Sequence, residues 1–161
     1  MDYLWSPWRY QYVTRAAETP GCIFCEKPAA GDDEAHLIVY RGARNFILLN
    51  LFPYTSGHVL IAPYQHVATL EDADEETVTE MMLLARRTGA CLKRVYKPQG
   101  LNIGMNIGEC AGAGIAAHIH MHVLPRWTGD SNFMTTIGET RVVPEDLSDT
   151  YRKLKEALEQ P

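Results

Sequence analysis

The chain lacks the features that mark membrane-spanning, secreted and nucleic-acid-binding proteins. No apolar run approaches the ~20 residues of a spanning helix, and the first residues do not join a basic start to an apolar core, so no secretory signal is expected. Basic residues number 15 against 20 acidic ones, and the net charge of -5 disfavours bulk attraction to nucleic acid. Only four residues are cysteine. We therefore expect a cytoplasmic protein without membrane or nucleic-acid partners, whose cysteines are reduced or metal-bound.

What the chain does contain is the composition of an ordinary globular domain. Its 161 residues, 46% of them hydrophobic, suit one domain spanning 1–161. Residues 1–20 are aromatic-rich and irregular. Short apolar runs bounded by turn residues predict β-strands, at Leu37–Tyr40, Phe46–Leu49, His58–Ala62 and Leu101–Ile107. Helical spacing of apolar residues predicts two packed helices, at Asp72–Tyr96 and from about Pro144 to Glu159 in the C-terminal segment 144–161. This pattern predicts an α+β fold with a mainly antiparallel sheet.

The long predicted helix carries an approximate apolar stripe that includes two adjacent methionines. We expect both Met81 and Met82 to fill the core rather than to line a cofactor site.

The most informative motif is an alternation of histidine with apolar residues in HIHMHVL. In an extended strand, successive side chains point to opposite faces, so His118, His120 and His122 should share one face. Histidine is the side chain that can act as nucleophile, acid, base or metal ligand near neutral pH. The motif therefore predicts a site of chemistry, whereas the alternative interpretation is a polar strand face that happens to be rich in histidine.

A C-x-x-C motif near the amino terminus provides candidate metal ligands. Cys22 and Cys25 have the spacing that lets two thiolates bind one zinc ion. A redox pair has the same spacing, but the βαβ context that usually accompanies such a pair is missing. His58, His66 and His118 are candidates for the other two ligands. The remaining cysteines are expected to be buried or free thiols, at Cys91 and Cys110.

Longer segments resemble one known family. HIHMHVL matches the alternating signature of the histidine-triad superfamily at every position, GHVLIAPYQH is similar to that family's preceding strand, and CIFC to the amino terminus of its zinc-binding branch. LWSPWR, LNLFPYTSGHVLIAPYQHV, LNIGMNIGECAGAG and HVLPRWTGDSNFM extend the resemblance over nearly the whole chain, toward bacterial diadenosine tetraphosphate phosphorylase-like sequences. The resemblance implies a HIT-like fold, a homodimer, and an enzyme that acts on dinucleoside polyphosphates at the α-phosphate.

The resemblance also implies roles for individual residues. It places the nucleophile on His120, whose ring would attack the α-phosphorus and form a nucleotidyl-histidine intermediate. It places His122 at a phosphate oxygen or at the bridging oxygen, and His58 matches the further histidine that supports the triad. The implied ligands of a structural zinc ion are Cys22, Cys25, His66 and His118. The implied nucleotide contacts are Asn50 at the ribose and Asn106 at the phosphate or the leaving group.

The glycine-rich turn before the histidines offers further phosphate donors. Backbone N–H groups from Gly112 to Gly114 could form an anion-binding nest, although a simple strand connection is an equal interpretation. Phosphorylase-like members can carry a hydroxyl residue in this turn, and here there is none. That absence favours water as the second acceptor, whereas the overall resemblance favours phosphate. Arg126 is expected either to bind phosphate or to be solvated, and Trp127 to pack in the core.

Three functions remain open on the sequence. The first is a nucleotidyl hydrolase or transferase that cleaves dinucleoside polyphosphates through a covalent adduct on His120. The second, from the same enzyme class, is a Hint-like hydrolase of nucleoside phosphoramidates. The third is a non-enzymatic zinc protein that binds nucleotides. The intact middle histidine favours an enzyme, because a pure binding module needs no nucleophile at that position.

Overall fold

A five-stranded antiparallel sheet organises the fold in the computed structural model, which describes residues 21–131 and 145–160. The strands are β1 (Ile38–Arg41), β2 (Asn45–Leu49), β3 (Val59–Pro63), β4 (Gly100–Met105) and β5 (Met121–Arg126), in the order β1-β2-β3-β5-β4. The helices are α1 (Ile23–Ala29), α2 (Glu75–Tyr96) and α3 (Leu147–Glu159), with a 3-10 turn at Glu109–Ala111. This is the predicted α+β class with an antiparallel sheet. The predicted irregular segment 1–20 lies outside the described residues.

Both faces of the sheet are covered, which explains why every residue of β2 and β3 is buried. Alternate strand residues enter a large core beneath α2 and α3, among them Ile47, Leu49, Val59, Ile61, Met121 and Val123. The intervening residues form a smaller cluster with Phe24 of α1, namely Ile38, Phe46, Leu48, Leu60 and Ala62. The smaller cluster lies on the same side of the sheet as His122, because His122 is paired with Leu60 across β3 and β5.

Helix α2 begins three residues after the predicted start. Asp74 is its N-cap and accepts a hydrogen bond from the backbone N–H of Thr77 at 2.7 Å, which leaves Asp72 outside the helix. The helix ends at Tyr96, and its C-cap Lys97 takes the left-handed conformation just before Pro98. Of the methionine pair, Met81 is buried in the core, but the prediction for Met82 is wrong because its side chain is 59% exposed. Adjacent helical residues point about 100° apart, and the buried stripe of α2 includes Met81 but leaves Met82 outside it.

Helix α3 is fixed to α2 by arginine side chains as well as by apolar packing. Its buried face carries Tyr151, Leu154 and Leu158, as the spacing predicts. Arg94 donates to the carbonyl of Ala157 at 2.5 Å, and Arg87 donates to that of Leu158. Cationic donors suit the carbonyl end of a helix, where the backbone oxygens lack partners within the helix. Asp146 caps the other end, so α3 starts at Leu147, and the predicted start at Pro144 lies outside the described residues.

The expectation of two packed helices is incomplete, because the described residues contain a third. Helix α1 is only seven residues long and has Pro28 within it. So short a segment shows no helical periodicity, and proline disfavours a helix interior, which is why the sequence did not predict this helix. The helix positions Cys22 as its N-cap and Cys25 in its first turn. No helix in the described part of the chain has the combined length and hydropathy of a membrane span.

Candidate functional site

Four side chains from three separate segments converge on one point beside the sheet. Cys22 and Cys25 come from α1, His66 from the loop after β3, and His118 from the segment before β5. Their ligand atoms all lie within 4.8 Å of one another. His118 Nδ1 lies 3.3 Å from Cys22 Sγ, 3.6 Å from Cys25 Sγ and 3.3 Å from His66 Nδ1. Tetrahedral zinc bonds of ~2.3 Å to sulfur and ~2.1 Å to nitrogen place ligand atoms roughly 3.3–3.8 Å apart, so this donor set suits zinc.

The protonation of His118 also fits a metal ligand. Its Nε2 lies 2.9 Å from the carbonyl oxygen of Pro63, which can only accept, so Nε2 carries the proton and Nδ1 presents its lone pair to the cluster. Burial lowers the pKa of His118 to about 4, which keeps the ring neutral. Burial and the neighbouring Cys22 raise the pKa of the Cys25 thiol, a penalty on the thiolate that a divalent cation offsets. Because all four tetrahedral positions are taken by protein ligands, the site suits a structural zinc.

Phe24 connects this cluster to the triad. It lies between the two cysteines in α1, is 1% exposed, and packs against His118 and His120 with ring centroids 5.3 and 4.8 Å away. Sequence reasoning did not select Phe24, since a phenylalanine within C-x-x-C carries no chemical signal of its own. Helix α1, which carries Cys25 and follows Cys22, thus also packs the ring of Phe24 against His120.

The three triad histidines do not all belong to one regular strand. Strand β5 starts at Met121, later than the alternation predicts, because the N–H of Ile119 donates to the carbonyl of Val67 in a loop rather than to β3. The alternation itself persists, since Ile119 and Met121 enter the large core and His120 lies against Phe24. His118 thereby faces the metal cluster, while the other two rings lie beyond it.

The single ring proton of neutral His120 lies on Nδ1, which leaves Nε2 free to act as a nucleophile. Its Nδ1 lies 3.0 Å from the carbonyl oxygen of His118, so Nδ1 carries the proton and Nε2 keeps its lone pair. The side chain is 5% exposed, and burial lowers its pKa, which disfavours the protonated ring. A neutral imidazole with one nitrogen fixed by an acceptor can attack through the other nitrogen.

His122 has the opposite tautomer, set through His58. The backbone N–H of Tyr54 donates to His58 Nδ1 at 3.1 Å, so the proton of neutral His58 lies on Nε2. That proton is directed to His122 Nδ1 at 2.9 Å, and His122 therefore carries its own proton on Nε2. Burial, with His120 nearby, lowers the pKa of His122 to about 4. The site thus places a lone pair on His120 next to an N–H donor on His122, and their ring centroids are 5.1 Å apart.

Tyr54 is a second residue that sequence reasoning missed. Its ring lies 4.7 Å from that of His58 and stacks on His122 at 6.1 Å with only 9° between the planes. The signal available was its position in PYTSGH, four residues before His58.

The predicted nucleotide contacts lie around these rings. Asn50 is buried, with Nδ2 3.3 Å from His58 Nδ1 and with Oδ1 accepting the N–H of Phe52. Asn106 directly follows β4, whose last pair with β5 joins Met105 to Met121, the residue after His120. In the glycine turn, the N–H of Gly112 donates to the carbonyl of Glu109 at 2.9 Å. Gly112 and Gly114 remain predicted phosphate contacts.

Arg126 is held by neighbouring side chains in this structure. It binds Asp130 through two hydrogen bonds of 2.6 and 2.7 Å and donates to Asn102 Oδ1 at 2.6 Å. The paired carboxylate cancels its charge. Trp127 is half-buried and contacts the edge of Tyr96, with centroids 6.4 Å apart.

Comparisons with known proteins agree with this geometry. The HIT domain family model matches residues 33–129, which include His58, His66 and all three triad histidines. A Mycobacterium tuberculosis protein named AP-4-A phosphorylase is 40% identical over 162 residues, covering 96% of this chain and 83% of that protein. A zinc-bound histidine triad family protein from Mycobacterium smegmatis has a TM-score of 0.71 at 30% identity, over 87% of this chain and 94% of that one. A histidine triad nucleotide-binding protein from Sulfolobus tokodaii has a TM-score of 0.69 at 26% identity, over 86% of this chain and 92% of that one. The chain belongs to the histidine-triad (HIT) family.

Proposed function

We propose that this protein cleaves dinucleoside polyphosphates, diadenosine tetraphosphate among them, by nucleotidyl transfer through His120. The observation that carries the proposal is the pair of opposite tautomers, with a lone pair on His120 Nε2 and a proton on His122 Nε2. The likeness to the M. tuberculosis protein named AP-4-A phosphorylase supports the choice of substrate.

In the first step, His120 Nε2 attacks the α-phosphorus, and the bond from that phosphorus to its bridging oxygen breaks. The leaving nucleoside polyphosphate departs as an anion, and the Nε2–H of His122 donates a hydrogen bond to the oxygen where negative charge develops. With diadenosine tetraphosphate the leaving group is ATP, and AMP stays bound to His120. The attacking ring becomes cationic and remains oriented by the carbonyl of His118.

In the second step, an acceptor oxygen attacks the same phosphorus and His120 leaves. Water as acceptor gives AMP, whereas inorganic phosphate gives ADP. Covalent capture thus divides one displacement into two easier ones. Zinc would be held by Cys22, Cys25, His66 and His118, where it fixes the position of α1 and His118 and takes no part in either displacement.

The remaining contacts are proposed from their places around the rings. Asn50 would bind the ribose through its Oδ1, which has a second lone pair besides the one that accepts the Phe52 N–H. Asn106 and the N–H of Gly114 would face the phosphates, and His58 would hold the tautomer of His122. A nucleoside phosphoramidate could be attacked by His120 at its phosphorus in the same way. The geometry therefore fits both reactions, and only an assay with each substrate distinguishes the phosphoramidate hydrolase from the proposed enzyme. A nucleotide-binding module without activity would need none of the proton placement described above.

The choice of acceptor is tested by product analysis. We expect diadenosine tetraphosphate to give ADP and ATP in phosphate buffer, because the N–H groups near the rings can orient phosphate without a hydroxyl residue in the turn. Chromatography of products formed with and without phosphate measures this. Formation of AMP at one rate in both buffers, with no ADP, would make the protein a hydrolase. No turnover of either this substrate or a nucleoside phosphoramidate would indicate a binding module.

We also propose that residues 1–161 form one domain that works in the cytoplasm as a homodimer. The edge strand β4 supports pairing between copies, since Ile103 within it and Ile107 just beyond it are 49% and 36% exposed. Light scattering should give a solution mass about twice the 18.1 kDa of one chain. A mass of one chain at micromolar concentration would exclude the dimer.

A further inference from the structure

Gly104 lies in the middle of β4, where a glycine needs an explanation. Its φ lies outside the left-handed region, so the backbone conformation does not require glycine. Glycine weakens a strand because it loses more conformational freedom on folding and offers no side chain to pack. Within a strand it often marks a place where a ligand or another backbone approaches closely. The reason for glycine at position 104 should therefore lie in the space beside it.

That space adjoins the triad. Gly104 is the direct partner of His122 in the β4–β5 register, and side chains of paired residues lie on the same face of a sheet. A Cβ placed on Gly104 meets no atom of residues 21–131 or 145–160 within 4 Å. The surface of the sheet next to the His122 ring is thus uncovered, on the side that carries the proposed reaction. We call this surface at Gly104 the open floor.

Two amides lie near this open floor. Asn102 shares the face of Gly104, because strand residues two apart point the same way, about 7 Å from one to the next, and Asn106 directly follows the last residue of β4. Leu101 and Met105 point the other way and pack against the large core. Asn102 Oδ1 accepts from Arg126 Nη1 at 2.6 Å, which fixes the amide and orients its Nδ2 donors. The strip thus runs from Asn106, just beyond the Met105–Met121 pair, across Gly104 to Asn102.

We propose that this Asn106–Gly104–Asn102 strip is the subsite for the distal half of the substrate, the nucleoside polyphosphate that leaves when His120 is modified. The inference rests on the proposed function and adds to it where the leaving group lies. The chain of phosphates crosses the open floor at Gly104, past the Nε2–H of His122. The Nδ2 group of Asn102 then donates to a distal phosphate oxygen, which is an anionic acceptor that suits an amide N–H.

The steric test is Gly104→Val, which suits a strand and fills the floor. Two substrates are compared: diadenosine tetraphosphate, and adenosine 5′-phosphorofluoridate, whose fluoride leaving group does not extend along the sheet. We expect KM for the tetraphosphate to rise about tenfold or more, the loss of roughly one charged hydrogen bond. Turnover of the fluoridate should stay within about twofold of the unchanged protein. Met82→Leu, at an exposed side chain on α2, is the control and should change the turnover of neither substrate.

The electrostatic test is Asn102→Asp, which is nearly isosteric and still accepts from Arg126. Its added negative charge should repel the polyphosphate, so KM for diadenosine tetraphosphate rises and the rise diminishes with added salt. The fluoridate reaction should not respond. This variant leaves the strand packing alone, so it tests the subsite even if Gly104→Val lowers the melting temperature.

The outcomes separate the two proposals. If the unchanged protein cleaves neither substrate, the proposed function fails before any variant is compared. If it cleaves both and the variants impair both equally, or impair neither, the distal subsite is wrong. A changed solution mass for Gly104→Val would show that a second copy of the chain, rather than a leaving group, approaches Gly104, and would also overturn the proposal.

Discussion

Replacing His120 with alanine is expected to lower turnover of diadenosine tetraphosphate by about a thousandfold or more, because the covalent route is lost. Nucleotide binding should persist, since the loop that carries Asn50 and the strand that carries His122 do not depend on the imidazole of His120. Steady-state kinetics measures the first effect, and calorimetric titration with ADP measures the second. The unchanged protein, quenched during turnover, should carry AMP on His120.

A histidine outside the triad provides the matched control. His36 precedes β1, is half-buried and has no assigned role, so His36→Ala should leave turnover unchanged. Two results would contradict the mechanism. One is a nucleotidyl adduct located on His122 by mass spectrometry of the quenched protein. The other is substantial turnover by the His120→Ala variant without any adduct.

The second large effect concerns the metal. Purified protein should contain about one zinc per chain, and Cys22→Ala should lose it together with roughly 3 kcal/mol of stability, or about 10 °C in melting temperature. The physical reason is that the free energy of metal binding contributes to folding wherever the site exists only in the folded state. Elemental analysis and thermal denaturation measure the two quantities.

An exposed cysteine elsewhere separates loss of metal from loss of a thiol. Cys110 is a free thiol in the glycine turn, so Cys110→Ala should keep both the zinc content and the melting temperature. A chelator should lower the melting temperature of the unchanged protein but not that of Cys22→Ala. Protein that contains no zinc and carries a disulfide between Cys22 and Cys25 would show that the cluster is not a metal site.

The sequence predicted the sheet better than it predicted the helices. Alternation in HIHMHVL reports which face each side chain takes, and this holds even where the hydrogen-bonded ladder stops, as it does before Met121. Phe46–Leu49 is an apolar run without alternation, because both faces of β2 are buried. Helix α1 escaped prediction because seven residues with an internal proline show no period. Its formation depends on contacts with distant parts of the chain, such as those between Phe24 and the triad rings, which local pattern cannot report.

For the site, residue type predicted which residues are candidates but not which role each of them has. Spacing alone left His58, His66 and His118 as equal candidates for the last metal ligands, and only the family resemblance separated them. The structure separates them physically, since His58 lies against His122 while the other two meet the cysteines. The placement of protons depends on the carbonyls of Pro63 and His118 and on the N–H of Tyr54. Backbone groups occur at every residue, so no sequence pattern distinguishes the ones that matter.

His118 serves the site with both of its ends, the ring toward the metal cluster and the carbonyl oxygen toward His120. Of these two roles, only metal binding restricts which amino acid can occupy position 118. Any amino acid at position 118 presents a carbonyl, whereas only a few present a metal ligand. A descendant of this protein that lost its cysteines would therefore be released from histidine at position 118 yet would keep the acceptor that orients its nucleophile. Single substitutions can therefore abolish metal binding while the reaction at His120 is retained, provided that other packing holds the segment before β5 in place.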